Sequence, residues 1–316
     1  MTKSHIRRTV AAAVSALVAI SLAGCAADAT AEGRVGVSLN SLEYPFIVTM
    51  NESITAAAKG EDIALTTVDS RATVATELSQ MENLVTQKPD VILMDAVDSK
   101  SSVPAGQLVN KAGIPLVMVD NNFGEDSGVE VAAYVGTDLT ETGRLEAKFL
   151  NEALPEGGNI IYLVGVYGAP WSEQRKAGFF EVVNDNVTVA TETEAQGSRA
   201  DGKTVMEDLL QRYSAGEIDA VVAQNDEMAL GAISAIKEAG RLDEFSVIIG
   251  VDGSDAALEA VAAGELTATV RQDPAGVGEA AVEIARKIIK GEKYEKETFV
   301  PLTTVTADNV AEFQKK

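Results

Sequence analysis

From Arg34 onward, short apolar runs alternate with segments whose apolar residues recur at helical spacing, one such pair about every 25 to 30 residues. That alternation confines the chain to an α/β class built of strand–helix–strand units around mostly parallel sheets. The spacing predicts strands at Val35–Leu39, Ile63–Val68, Val91–Met94, Pro115–Val119, Ala132–Val135, Ile160–Val164, Val187–Thr191, Ala220–Ala223, Val247–Gly250 and Leu266–Val270. Helices are predicted at Phe46–Lys59, Val74–Thr86, Thr140–Leu154, Ser172–Asn184, Lys203–Tyr213 and Gly276–Lys290, each with an apolar stripe at 3.6-residue spacing. So many strands exceed one small sheet. Two similar lobes dividing near "VGTD" (Val135–Asp138) fit better, and no Pro/Ser-rich linker lies between them.

The first residues form a targeting device. Lys3, Arg7 and Arg8 precede a short apolar run, Thr9–Ala23, and then "LAGC", Leu22–Cys25. About 20 apolar residues are needed to span a bilayer, so this shorter run reads as an export signal over residues 1–24. "LAGC" resembles the bacterial lipobox, which implies cleavage before Cys25 and lipid attachment to it. The small, polar residues that follow read as a flexible tether, residues 25–33. The expected location is therefore extracytoplasmic and membrane-anchored through lipid.

Cleavage has chemical consequences. Removing Lys3, Arg7 and Arg8 from the 26 basic residues leaves 23 against 48 acidic ones, a net charge of −25. Such a surface disfavours nucleic acid and anionic lipid headgroups. His5 is the only histidine and Cys25 the only cysteine, so the folded part carries neither. Histidine- or cysteine-based catalysis and ordinary zinc sites are excluded, and no cofactor or metal is expected. Chemistry run on carboxylates or lysine stays open.

The stretch "DAVVAQNDEMALGAISAIKEAG", Asp219–Gly240, reads as a buried strand, a polar turn and a helix. Asp226 is placed as the helix cap and Gly240 as its end, leaving Asn225 at the carboxyl end of the strand, where open α/β sheets bind ligands. Other strands end alike. Asn40, Asp69, Asp95 and Asp120–Asn122 follow strands of the first half; Gln196, Asn225, Asp252 and Gln272 follow strands of the second. Two lobes with these ends face to face would enclose a cleft of carboxylates and amides, with Arg175 as a further donor. With three Asp (95, 120 and 252) against one Arg, an anionic ligand is disfavoured and a neutral polyol or sugar, or a cation, preferred. Phe46 and Trp171, the only tryptophan, are candidate flat surfaces for a sugar's apolar face.

Plainer roles compete. Asp226 and Asp69 read first as a cap and a turn residue; Phe46 reads equally well as the first core residue of its helix. Arg175 alone reads as a surface residue of an amphipathic helix, and Trp171, after Pro170, as a hydrophobic staple. "GVGEAA", Gly276–Ala281, matches the loose dinucleotide fingerprint but its glycines lie within a helical pattern. No GxxxxGK[ST] or GxSxG segment is present.

Together "AQNDEMALGA", "VSLNSLEYPF", "YVGTDLTETG", "IIGVDGS" and "VPLTTVTADNVAEF" resemble the periplasmic solute-binding proteins of sugar ABC transporters, the ribose- and galactose/glucose-binding group, over Arg34–Lys316. The effector domains of LacI-type repressors share that fold, but this chain carries an export signal where they carry a DNA-binding motif. The resemblance implies the type I periplasmic-binding-protein fold: two Rossmann-like lobes with parallel sheets, joined by a three-strand hinge and closing on a monosaccharide. It places crossovers near Thr137, Gln272 and Val300, hence one lobe of residues 34–137 and 273–300 and another of 138–272 and 301–316. By motif position, Asn40, Phe46, Asp95, Asp120, Arg175, Asn225, Asp252 and Gln272 fall where relatives contact sugar, which raises Arg175 from the surface to the site. Departures are Asn121, where the ribose type has Arg, Tyr44 at a usually polar position, and Gly197 and Val251 where relatives can carry an aromatic; Trp171 is the candidate substitute. The ligand set then comprises Asn40, Tyr44, Phe46, Asp95, Asp120, Asn121, Trp171, Arg175, Asn225, Asp252 and Gln272. The expected protein is a monomeric, non-catalytic lipoprotein that captures a neutral sugar or polyol for a membrane ABC permease. A sensory module presenting the same ligand to a receptor and a carboxylate-based glycosidase are the alternatives.

Overall fold

A four-residue strand can be apolar throughout only where both faces of its sheet are covered, and the structure is arranged to provide that cover. In the computed structural model, which describes residues 31–124 and 126–314, two sheets of six strands are each flanked by helices. The first contains β1 (Gly33–Leu39), β2 (Ile63–Asp69), β3 (Val91–Met94), β4 (Leu116–Val119), β5 (Ala133–Gly136) and the late β11 (Glu297–Phe299). Their order is β11-β5-β4-β3-β1-β2, all parallel. The second holds β6 (Gly158–Val164), β7 (Val187–Glu194), β8 (Ala220–Ala223), β9 (Val247–Asp252), β10 (Ala268–Arg271) and β12 (Thr303–Thr306). Here the order is β12-β10-β9-β8-β6-β7, with β12 alone antiparallel to its neighbour. Every residue of β3, β4 and β8 is buried, which accounts for their unbroken apolar character.

The helices are α1 (Pro45–Gly60), α2 (Val74–Thr86), α3 (Val103–Lys111), α4 (Leu139–Ala153), α5 (Pro170–Val182), α6 (Arg199–Arg212), α7 (Asp226–Glu238), α8 (Asp255–Ala262) and α9 (Pro274–Lys290). On the first sheet, Met50 and Ile54 of α1 and Val277 and Ala281 of α9 close one apolar layer, while Met81 and Leu84 of α2 and Val109 of α3 close the other. The second sheet repeats the plan, with Met206, Ile233 and Ile236 on one side and Ala147, Leu150 and Phe179 on the other. No described helix is long and apolar enough to cross a membrane.

The ten expected strands are present, Val91–Met94 and Ala220–Ala223 with the expected bounds and the others with shifted ends, and two helices and two strands were not anticipated: α3, α8, β11 and β12. α3 and α8 are only nine and eight residues long, too short for a clear period. β11 is three residues with an exposed–intermediate–exposed pattern, formed because β5 offers it an edge. Asp226 is not the cap of α7. Asn225 is extended (φ −151°, ψ 167°), so its side-chain oxygen reaches the Met228 N–H at 3.0 Å, and Asp226 becomes the first helical residue. Asp69, expected in the turn, is the last residue of β2 and anchors the turn that follows: its Oδ1 accepts from Arg71 N–H at 2.9 Å and Leu42 N–H at 3.3 Å. Gly276–Ala281 lies inside α9, so it forms no nucleotide loop. The export signal and Cys25 lie outside the described residues, while Gly33, placed in the tether, is already the first residue of β1.

The chain passes between the sheets three times, after β5, after β10 and between β11 and β12. Two of these passages are tied together: Thr137 Oγ1 donates to Gln272 Oε1, both side chains being buried. The third is fixed by Val300 N–H on the Gly136 carbonyl at 2.8 Å.

In the second lobe, α4 and α5 approach so closely that a Cβ at Gly178 would overlap the carbonyl oxygen of Thr140. Gly178→Ala forces the helices apart and is expected to cost about 1–3 kcal/mol of unfolding free energy, as overpacking does. Urea unfolding of the two proteins side by side checks this; an unchanged midpoint contradicts the packing.

Candidate functional site

Parallel strands present all their carboxyl ends on one edge, so the polar residues that follow them share a surface. Asn40 follows β1, Asp120 follows β4, Asn225 lies two residues beyond β8, and Asp252 is the last residue of β9. The two edges face each other and enclose a hollow of about 360 Å³ including its mouth, lined by these four with Tyr44, Phe46, Ile47, Asn121, Trp171 and Arg175. The structure thus gathers nine of the eleven expected residues and adds Ile47. Phe46 lines the hollow and packs on the core of the first lobe.

Asp95 and Gln272 stand behind the lining. Asp95 is buried, and its carboxylate accepts from the Asn40 backbone N–H at 3.2 Å and from the Asn121 amide at 2.6 Å. It orients two lining residues. Gln272 donates to Asp252 Oδ1 at 2.9 Å, joining the hinge to the site.

Three lining or near-lining atoms have no hydrogen-bond partner although buried: Asn40 Oδ1, Asp120 Oδ1 and Arg175 Nε. Buried polar groups are normally satisfied, so two free acceptors and a free donor around one hollow describe what its occupant must offer. Asp120 and Asp252 also adopt positive φ, +60° and +119°, a backbone region that non-glycine residues avoid. Strain of this kind, of order 1–3 kcal/mol per residue, persists where surrounding structure enforces it.

Arg175 is 3% exposed, which corrects its reading as a surface residue. Its NH1 donates to the Gln224 carbonyl, its NH2 lies 3.6 Å from Asp252 Oδ1, and its guanidinium carbon sits 5.1 Å from the Trp171 ring centre. Trp171 has its own requirement: a side chain at Gly165 would occupy the space of the indole. Gly197, where an aromatic was considered, lies beside Tyr44 and Trp171, so the indole already fills that wall.

Gln224 was missed although it stands in the quoted stretch. Its Oε1 accepts from Gly165 N–H at 2.7 Å and Ser172 Oγ at 2.5 Å, and its Nε2 donates to Tyr162 OH at 3.1 Å and the Ser172 carbonyl at 2.8 Å. Asn225 is doubly engaged, since its Nδ2 also donates to the Gly197 carbonyl at 2.8 Å. Asp226 accepts from Ser254 N–H at 2.8 Å and Thr269 Oγ1 at 2.7 Å, bracing α7 against β10 and the start of α8.

The lobes also touch directly. Trp171 N–H donates to Asn121 Oδ1 at 3.1 Å, and Ser99 N–H and Oγ donate to the Gly168 carbonyl at 3.2 and 3.3 Å. These bonds bridge the two lobes directly.

Burial governs the electrostatics. It pushes the Asp120 carboxyl up to about 6, against the pull of Arg175 and with the repulsion of Asp252, and Asp252 likewise to about 6, again against Arg175. Asp95 is raised well above the carboxylate range by burial and then by Asp120. Among the described residues no group of three or more His, Cys, Asp or Glu could hold a metal ion.

Raised acids are more easily protonated folded than unfolded. Their contribution to stability is full below about pH 4 and is lost as pH rises through about 6. The unfolding free energy of ligand-free protein should therefore fall between pH 4 and pH 7, and fall less steeply in Asp120→Asn. Urea titrations across that range check it; identical slopes would show that Asp120 is not raised.

Three comparisons bear on this geometry. Residues 35–293 match the family described as periplasmic binding protein domain. The ribose import binding protein of Bacillus subtilis is 34% identical over 275 residues, 87% of this chain and 88% of that protein. The xylitol-binding protein of Mycolicibacterium smegmatis is 29% identical over 306 residues, 95% and 86% of the two chains. Among solved structures, an ABC transporter solute-binding protein from Bacillus halodurans with bound myo-inositol superposes with a TM-score of 0.84 at 33% identity, covering 90% of this chain and 98% of that one.

Proposed function

This chain belongs to the periplasmic binding protein family, and we propose that it captures one neutral monosaccharide or polyol between its two lobes and delivers it to an ABC permease. The observation that carries this reading is the hollow whose free groups, Asn40 Oδ1, Asp120 Oδ1 and Arg175 Nε, ask for a partner that donates and accepts at once. A hydroxyl does both. Trp171, Phe46 and Tyr44 supply flat apolar surface for the ring or carbon chain. An anion would meet Asp120 and Asp252 in a dry site and be repelled. Ribose, xylitol and myo-inositol, named for the relatives, are all uncharged polyhydroxy compounds.

In this reading Asn40, Tyr44, Phe46, Asp120, Asn121, Trp171, Arg175, Asn225 and Asp252 contact the ligand, while Asp95 and Gln272 hold the contacts in place. The lobes, residues 34–137 with 273–300 and 138–272 with 301–316, turn about the three crossovers. A ligand gripped from both sides has most of its contacts in the closed form, and that differential affinity is what shifts the equilibrium. Cys25 carries lipid, and the protein works as an extracytoplasmic, membrane-tethered monomer. Relatives named for import and for ABC transport favour delivery over sensing. Their names describe binding and transport and none describes a hydrolase, which disfavours the glycosidase alternative.

A thermal-shift screen over neutral pentoses, hexoses, inositols and linear polyols tests the proposal, since a ligand bound only by the native state raises the unfolding temperature. At least one should do so, and Asp120→Ala should weaken it tenfold or more, corresponding to about 1.5–3 kcal/mol for a hydrogen bond to a charged group. A screen in which only anionic compounds stabilise the protein would overturn the reading.

A further inference from the structure

Trp171 is a large side chain with little core to hold it. Among the described residues its apolar cluster comprises Leu139, Ala169 and Val166, apart from the layers on either face of the second sheet. A close-packed interior fixes side chains through many contacts, and a cluster of this size supplies few.

Within its own lobe the supports of the indole converge on one side chain. Gly165, directly beyond β6, must lack a Cβ because the ring occupies that space, and Ser172 follows Trp171 in the first turn of α5. Gln224, fully buried beyond β8, holds both. Its Oε1 accepts from the Gly165 N–H and the Ser172 hydroxyl, while its Nε2 donates to the Ser172 carbonyl and the Tyr162 hydroxyl. Both acceptor sites and both protons of the amide are thereby used. Two further neighbours of the ring are tied to the same strand end. Arg175, over its face, donates to the Gln224 main-chain carbonyl, and Gly197, beside it, has its carbonyl held by the Asn225 amide.

We propose that the Gln224 side chain is a positioning residue for Trp171: by clamping Gly165 against the ring and Ser172 next to it, it fixes the aromatic wall on which a neutral polyhydroxy ligand rests. Gln224 itself does not line the hollow. The proposal rests on the reading of Trp171 as a ligand contact, but the clamp exists without ligand. A methionine of the same length removes all four bonds and leaves the Gly165 N–H and the Ser172 hydroxyl buried without an acceptor. Unpaired polar groups are costly to keep from water, so both segments shift until they find partners, and the indole moves with them. The substitution spares the carbonyl that holds Arg175, which separates the wall from the guanidinium.

The test is the fluorescence of Trp171, the only tryptophan of the chain, in ligand-free protein. In Gln224→Met the emission should shift to the red and acrylamide quenching should rise severalfold. Affinity for ribose and for myo-inositol, used as probes, should fall about tenfold, the equivalent of one lost hydrogen bond. Leu84→Ala opens a cavity in the core of the first lobe and lowers stability alone, so it should leave emission, quenching and affinity as in wild type. Ser172→Ala removes one donor to Oε1; it should act in the same direction by less, and add little to Gln224→Met, where that hydroxyl has already lost its acceptor. Unchanged emission and quenching in folded Gln224→Met or, where that protein does not fold, in Ser172→Ala, overturns the proposal. So does an emission shift that leaves the affinity for a bound probe at its wild-type value. If neither probe binds wild type, the ligand reading is damaged, and the emission still decides whether Gln224 positions Trp171.

Discussion

One guanidinium buried among carboxylates is the interaction on which the cleft depends. Asp120, buried, and Asp252, half-buried, lie on opposite lobes, and Arg175 is the cation whose field lowers both. Without it, two desolvated like charges would face each other across a narrow hollow, a situation that proteins avoid by protonation or by moving apart. The Arg175 side chain is in turn held by the Gln224 carbonyl, by Asp252 and by the face of Trp171. The second lobe therefore brings a prepared donor to the first.

The same residues connect binding to motion. Gln272 joins Asp252 to Thr137, so a lining carboxylate on β9 is two hydrogen bonds away from a second crossover. Asn121 is held by Asp95 on its own lobe and accepts from Trp171 on the other. Groups of the two lobes thus meet partners whose orientation is already set. Preorganisation of this kind reduces the ordering cost that weakens most small-ligand sites.

How residues at a strand end divide their work shows where sequence reasoning reaches its limit. The segment Gln224–Asp226 was legible as a polar turn between buried strand and helix. The jobs were not. Asn225, expected to read hydroxyls, is the residue that caps α7; Asp226, expected to cap, braces α8 and β10; Gln224, given no task, holds Arg175 by its main-chain carbonyl. The side chains of Asn225 and Asp226 could chemically exchange their work, and only the extended backbone at Asn225 decides which nitrogen its oxygen can reach.

Alone, the sequence determined the alternation of strands and helices, the two-lobed α/β plan, the polar strand ends and the absence of histidine and cysteine beyond Cys25. These follow from periodicity and composition, which are local and countable. The tertiary structure decided that Arg175 is buried, that Asp95 and Gln272 stand behind the lining, that β11 and β12 exist, and that the Gln224 side chain braces Gly165 and Ser172. Each of those depends on residues tens to hundreds of positions apart being brought within a few ångströms, and no local pattern records which distant group will be waiting.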